Sequence, residues 1–462
     1  MITEDYNRGV PISREELQDL QQISDVKISS ITLEEHPNLL VFPDSWDQYD
    51  RDFDKKVICN VAQDEKGHKL YTNSIVGFVG RNGTHLSIHS RFANGAKSEQ
   101  DYFLHYMLQR VAQISLFHLD HATDQDDGFD FLIYLFPNFL NKAISQGVYK
   151  KYVTRRYNDA NVRGVIDINR HIRYNEPFNG RVSYTTREFS YDNELTQLIR
   201  HTIEYIARRR DGGNILSADP NTKQAVQQII SATPSYQPSR RLAIVNKNLR
   251  PLVHPYYSDY APLQKLCLQI LRHDELKYGH AKDEIYGVLI DAAWLWEEYL
   301  AIVLKGKLQH LRMDIDPKYY LFEKGCSPRQ RIIPDYLSPN KDVVADAKYI
   351  PLDERVLYEE ESVTAVYYKT IAYMYRFCSK IGFLLYPSKS DNKATVKTLQ
   401  SEKAGVNGGT ITEVGLKIPT DAEAFEDFCS EMQKSEEAFL GPQKIQEYCI
   451  CQIINRVGSG IG

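Results

Sequence analysis

A chain of 462 residues with 42% hydrophobic content can build two or three domains with real cores, and none of its windows approaches the roughly 18 uninterrupted apolar residues of a membrane-crossing helix. Lys and Arg number 56 against 61 acids, and this balance of −5 is not that of a protein that coats nucleic acid with its whole surface. The seven cysteines form no CxxC pair and no Cys/His ligand spacing, which argues against a zinc centre or a disulfide framework.

The opening MITEDYNRGVPISREELQDL is acidic and polar where a signal peptide needs a basic and then an apolar run, so a cytoplasmic protein with no membrane association is expected. Residues up to about Phe92 are predicted β-rich. Ser74–Val79 and His85–His89 form a hairpin whose Asn82-Gly83 turn supplies positive φ angles. Asp101–Phe117 is predicted helical behind an acidic cap, His121–Asp130 a loop, and Phe131–Lys151 a second helix.

From Lys150 to Arg187 bases outnumber acids, and Arg208-Arg209-Arg210 and Arg240-Arg241 extend the basic middle among Tyr152, Tyr157, Tyr174 and Tyr184. Cations interleaved with aromatics suit a phosphate-contacting surface, and Arg155, Arg156 and Arg173 are its expected DNA contacts; a solvated helix face would account for the charge equally well. Helices are expected over Asn193–Arg210, Pro262–Leu271 and Asp283–Leu304. They are followed by the hairpin IIPDYLSPNKDVVADAKYI, an acidic loop at Asp353–Glu361, a helix over Val363–Lys380, strands at Gly382–Pro387 and Thr410–Ile418, and a helix over Asp421–Gln433. Cys449 and Cys451 alternate along one further expected strand, where buried thiols are the ordinary reading.

The fold class expected is multidomain α+β: a β-rich N-terminal domain (1–150), a basic middle region (151–260), and a C-terminal α/β domain (261–462) with a mixed central sheet flanked by helices.

Within the hairpin, strand geometry points Asp346 and Lys348 to one face, and the turn Ser338-Pro339-Asn340-Lys341 lets Asp335 approach Asp346 from the partnering strand. Two carboxylates held close repel unless a proton or cation lies between them. Mg²⁺ there would have an oxygen cage with room for phosphate and water, and Lys348 could position or deprotonate that water. An ordinary surface hairpin with an Asp–Lys pair is the rival explanation. On the preceding helix, Ile285, Leu289, Ala292, Trp296, Tyr299 and Val303 mark the core stripe, and the adjacent stripe Ile290, Ala293, Glu297, Ala301 and Leu304 sets Glu297 among apolar and small residues. A carboxylate in that setting calls for a cation, whether a metal or an arginine. Lys369 and Tyr373, four apart on the later helix, share a face and could contact phosphate or the scissile strand, or belong to a Tyr-rich core with one solvated Lys.

Glu on a helix, Pro-Asp, Asp-x-Lys on the next strand, then Lys-x-x-x-Tyr on a helix resembles the PD-(D/E)xK nuclease fold. The blocks Leu295–Leu300, Ile333-Pro334-Asp335, Asp346–Tyr349 and Ile371-Ala372-Tyr373 resemble the McrC subunit of McrBC modified-cytosine restriction systems. So do Arg163-Gly164-Val165-Ile166-Asp167, His171–Asn175 and Phe189–Asn193, and the likeness covers roughly Ser74 to Ile418.

The resemblance implies that Glu297, Asp335 and Asp346 ligate Mg²⁺, that the carbonyl of Ala347 completes the shell, and that Lys348 is the catalytic lysine. Lys369 stands where such nucleases often have Gln; a lysine binds phosphate as a point charge but offers no amide oxygen. The resemblance further implies a DNA endonuclease subunit that stimulates, and is driven by, a McrB-like AAA+ GTPase ring. The GTP would sit on the partner, and no Gly-x-x-x-x-Gly-Lys-Ser/Thr loop occurs here. It implies that the N-terminal domain docks on that ring, with the Gly80–Gly83 turn as an insertion element or a plain turn. Cutting both strands of double-stranded DNA with one site per chain calls for two copies. A non-catalytic DNA-clamping activator and a stand-alone repair nuclease are the alternatives.

Overall fold

The structure is a computed structural model and describes residues 1–21, 23–24, 38–42, 57–64, 67–81, 84–93, 101–112, 127–209, 212–217, 219–277, 285–311, 319–324, 327–350, 360–391, 394–400 and 408–441. The Asn82-Gly83 turn, the segments expected as loops at 121–126 and 353–359, Cys449 and Cys451 lie outside them. No helix among the described residues is long and apolar enough to cross a membrane.

The chain forms two compact units, Met1–Gly128 with Ala281–Gly462, and Phe129–His280. They do not coincide with the linear division at residues 150 and 260. The reason is strand Ile285–Asp291, which lies in a five-stranded sheet in the order Ile2–Glu4, Thr84–His89, Ile75–Arg81, Ile285–Asp291, Asn38–Phe42. The hairpin expected over Ser74–Val79 and His85–His89 is present as the antiparallel strands Ile75–Arg81 and Thr84–His89.

The expected helix over Asp283–Leu304 is corrected here: its first half is that strand, and only Ala292–Val303 is helical. Two glycines show why the strand wins. Gly77 and Gly287 have φ of +119° and +148°, and a Cβ on either would lie 2.1 Å or 2.2 Å from a carbonyl of the facing strand. The aliphatic run Val288-Leu289-Ile290 is then buried by the sheet, and Asp291 ends the strand and caps the helix by accepting from Ala293 N at 3.0 Å. Leu39, Val41, Ile75, Val79, Leu86, Ile88 and Leu289 share one core with Cys59 and Leu70 of the small sheet Val10–Ile12, Gly67–Thr72, Cys59–Asp64.

The same unit holds the predicted mixed sheet, six-stranded in the order Gln309–His310, Tyr336–Leu337, Val343–Ala347, Ile381–Ser388, Thr410–Lys417, Thr395–Thr398. Val343–Ala347 and Ile381–Ser388 run parallel, as a strand–helix–strand crossover requires, and helix Glu360–Phe377 supplies the crossover. Val344, Leu384 and Ile411 of the sheet pack against Tyr373, Met374 and Phe377 of that helix. The last helix runs from Phe425 to Leu440, longer than expected, because buried Glu436 near its end accepts from Tyr299 Oη at 2.6 Å and Tyr106 Oη at 2.8 Å.

In the second unit a hairpin absent from the sequence reading occupies the basic middle. Lys151–Asp159 and Val182–Ser190 pair antiparallel over nine residues, with the short strand Val165–Ile166 alongside. Helix Asp127–Ser145 accordingly stops short of Lys151. Helices Glu194–Ala207, Pro220–Ala232, Arg241–Lys247 and Tyr260–Lys277 make up most of the rest. The expected Asn193 start is borne out: its side chain caps Leu195 N and Thr196 N.

Candidate active site

The site grows from the Ile332–Ile350 hairpin. Tyr336 and Leu337 pair with Ala345 and Val344, and the turn closes with Ser338 Oγ accepting from Val343 N at 3.0 Å. Asp335, one residue before the strand, lies beside the exit of Val343–Ala347 and accepts from Ala347 N at 2.7 Å through Oδ2. Asp346 is 1% exposed, and its Oδ2 forms an ion pair with Lys348 Nζ, so the expected side-by-side placement of the two is found. Lys348 Nζ also donates to the carbonyl of Ala347 at 3.3 Å, and its amide extends the parallel ladder to Leu385 O at 2.8 Å.

Helix Glu360–Phe377 brings the second cation. Lys369 Nζ lies 5.8 Å from the centroid of the buried Tyr373 ring, and its charge acts on both aspartates. Burial and repulsion from Asp346 and then Glu297 hold the Asp335 carboxyl well above the ordinary carboxylate range. Burial would raise Asp346 as well, yet Lys348 and Lys369 together hold it below that range. The two carboxyls are thus pushed in opposite directions, with the lysines favouring ionisation of Asp346 over Asp335.

Glu297 sits on the edge of this arrangement. Its side chain is 27% exposed, and Oε1 meets His310 Nε2 at 2.8 Å. Its backbone carbonyl accepts from Tyr336 Oη, and neighbouring Trp296 donates Nε1–H to Leu385 O at 3.2 Å. The helix is therefore pinned to both sides of the hairpin strand. The side chain found against the Glu297 carboxylate is a histidine.

Among the described residues, no three His, Cys, Asp or Glu side chains gather closely enough to cage an ion by themselves. The donors present still fit Mg²⁺. Asp346 is buried, Asp335 stands half-buried beside it and accepts from Ala347 N, and the Ala347 carbonyl faces Lys348 Nζ. Mg²⁺ takes one or two carboxylates and keeps several waters for phosphate to replace, so a partial oxygen shell suits it better than a closed cage.

The three arginines expected to contact DNA belong to the second unit. Strand alternation sends Arg155 and Arg156 to opposite faces. Arg155 is engaged by Glu188 at 3.5 Å and Asp192 at 3.6 Å, whereas Arg156 is exposed. Arg173 is exposed on helix Ile168–Asn175, 5.6 Å from the Tyr174 ring.

Two features escaped the sequence reading. His310 carries no local signal, because its link to Glu297 exists only once Gln309–His310 pairs with Tyr336–Leu337. Glu413 had one: it is a carboxylate in a strand buried over six consecutive residues. It is in register with Leu384, which is in register with Asp346, so it lies on the same sheet face, bound to Lys397 at 2.7 Å and to Tyr367.

The chain was compared with known proteins. A family model described as McrBC 5-methylcytosine restriction system component matches residues 70–387. No curated protein matches. Among solved structures, the chain is similar at 16% identity and TM-score 0.47 to a chain of a half-complex from a tetradecameric assembly of Thermococcus gammatolerans McrB AAA+ hexamers with bound McrC, covering 94% of this chain and 99% of that one. A chain of the Thermococcus gammatolerans McrBC complex gives 15% identity and TM-score 0.33, over 66% of this chain and 86% of that one. The matched residues contain Glu297, Asp335, Asp346, Lys348 and Lys369 and exceed half of the 462 positions, so the chain belongs to the McrBC 5-methylcytosine restriction system component family.

Proposed function

We propose that this chain is the DNA-cleaving subunit of its restriction system, a Mg²⁺-dependent endonuclease acting on double-stranded DNA. The observation that carries the reading is the aspartate pair, Asp346 buried and Asp335 half-buried beside it, faced by Lys348 and Lys369. A buried and a half-buried carboxylate with two lysines are costly as mere architecture and suited to phosphate chemistry.

In this reading Asp335, Asp346 and the Ala347 carbonyl hold the cation, with Glu297 completing the acidic edge of the site. Bound Mg²⁺ supplies a Lewis acid for the phosphoryl oxygens and lowers the pKa of water at the site. Lys348, fixed against Asp346, orients the attacking water and steadies charge that develops on the phosphate. Lys369 binds a neighbouring phosphate as a point charge, and Tyr373 supports its stem. Arg156 and Arg173 contact the DNA backbone away from the chemistry, with Arg155 bracing the hairpin that carries Arg156.

The partner is a McrB-like AAA+ GTPase ring, which carries the GTP, and the N-terminal region is the part that docks on it. Cutting both strands takes two copies of this chain. A second reading, a non-catalytic DNA-clamping activator of the motor, draws on the engagement of Glu297 by His310.

Co-expression with the neighbouring AAA+ protein, followed by challenge of methylated plasmid with GTP and Mg²⁺, separates the two. Asp346→Asn and Lys348→Ala should abolish cleavage while the partner's GTP hydrolysis remains stimulated. Cleavage by either variant at the wild-type rate would remove the catalytic assignment, and cleavage without the motor would remove the subunit reading.

A further inference from the structure

The hairpin Lys151–Asp159/Val182–Ser190 has one face of which the proposed function uses only Arg156. Tyr152 and Phe189 are directly paired across the strands, their rings 5.0 Å apart, and they are 60% and 55% exposed. Large paired rings on a strand ladder are ordinarily covered, so an open pair near its end marks a surface suited to a ligand. Tyr191 extends the row, and Lys150 lies 4.0 Å above its ring and 5.4 Å above that of Phe189. Arg187, paired with Thr154, lies 5.0 Å above Tyr152, and the next pair on this face, Arg156 with Thr185, adds a third cation.

The acids of the hairpin are on the other face. Glu188 accepts from Tyr157 Oη at 2.9 Å and from Thr186, and it pairs with Arg155, while Asp159 accepts from Tyr184 Oη at 3.1 Å. Strand alternation therefore sorts charge. Arg155 is neutralised on one side, and Lys150, Arg156 and Arg187 on the other enter no ion pair among the described residues. Helix Ile168–Asn175 closes the far end of the open face, where Asn175 donates to Asn158 at 2.8 Å. The platform is thus bounded at one end and open at the aromatic end.

We infer that the open face of this hairpin, formed by Lys150, Tyr152, Arg156, Arg187, Phe189 and Tyr191, binds single-stranded nucleic acid by stacking unpaired bases on its rings and holding their phosphates with its cations. A duplex satisfies its own base faces and would use the cations alone, leaving the exposed rings without a role. A single strand uses both, because every base has a stackable face whatever its identity. The inference stands apart from the cleavage reading, since it concerns binding by a different unit and needs no metal.

The test uses the full-length protein in EDTA, so that no cleavage intervenes. Probes are fluorescein-labelled oligothymidine and a blunt duplex, each about 20 nucleotides long to exceed the site size of one such platform. Wild type should bind the single strand, and the double variant Tyr152→Ala/Phe189→Ala should weaken that binding about tenfold or more while changing duplex binding less than about twofold. A second variant, Phe189→Trp, keeps a stacking ring and places a reporter on the face itself. Its added emission should be quenched by oligothymidine and not by the duplex. Equal losses on both probes, no binding of the single strand by wild type, or tryptophan emission that responds only to a protein partner would each overturn the inference.

Discussion

The two units treat charge in opposite ways. Around Asp335 and Asp346 carboxylates are taken out of water and faced with lysines, so each group's protonation depends on its neighbours. On the Lys151–Asp159/Val182–Ser190 hairpin, cations stand in water among exposed rings, and Arg155, which does meet acids, is turned to the other side. Burial strengthens each electrostatic interaction and makes single groups decisive. Exposure spreads weak, screened interactions over many groups, which suits holding a flexible polyanion. Changes to the first region should therefore act on chemistry or stability by large steps, and changes to the second by small, additive ones.

The sharpest break is expected at the site. Asp346→Asn or Lys348→Ala should lower plasmid cleavage about a hundredfold or more, with oligothymidine binding unchanged. Measuring both in one preparation decides whether cleavage and binding are separable.

Next is the join between distant segments of the first unit. Gly287→Ala places a Cβ 2.2 Å from Phe78 O at a φ of +148°, and should cost about 3 kcal/mol or more in urea unfolding. Amides of helix Glu194–Ala207 should keep their hydrogen-exchange protection, and their joint loss would mean that the two units unfold as one.

Two buried groups, Asp5 and His201, should respond to pH with opposite sign. Burial raises Asp5 from 3.8 to about 6 against the opposing pull of Arg91. A raised folded pKa means stability is fully present below the unfolded value and is lost as pH rises through the folded one, here a difference of about 3 kcal/mol. Burial lowers His201 from 6.5 to about 4, so its contribution is present above the unfolded value and is lost as pH falls through the folded one. Between these limits the contribution of Asp5 should fall with rising pH and that of His201 should rise. Asp5→Asn and His201→Gln should each flatten one slope in unfolding curves taken across that range.

The smallest effect separates neighbours. Arg156→Ala should reduce the salt dependence of oligothymidine binding by about one phosphate contact, whereas Arg155→Ala should leave it unchanged and cost the hairpin about 0.5 kcal/mol. Equal salt effects from the two would contradict their assignment to opposite faces.

Much of the site was readable because it is local. Asp335, the turn and Asp346-Ala347-Lys348 lie in one hairpin whose register follows from alternation and turn chemistry. Lys369 and Tyr373 are one helical turn apart, and the C-terminal sheet follows from its apolar strands. Elsewhere a local pattern had two structural solutions. Ile285–Asp291 carries aliphatic residues at spacings that a helix or a strand could use, and Gly287 was the one cue against the helix. Lys151–Asp159 alternates half-buried with exposed residues, but many of its half-buried positions are polar, so no hydrophobic period marked it as a strand.

By itself the sequence determined the order of chemical groups, the local turns and caps, the crossover that makes the C-terminal strands parallel, and the family. Only the tertiary structure decided which distant segments meet. It inserted Ile285–Asp291 between Asn38–Phe42 and Ile75–Arg81, gave Glu297 to His310, and drew Lys369 up to the aspartate pair. The physical reason is that hydrogen-bonding periodicity acts over a few residues and leaves a readable trace, whereas long-range pairing is selected by the burial of whole faces. Any one residue carries only a small share of that burial.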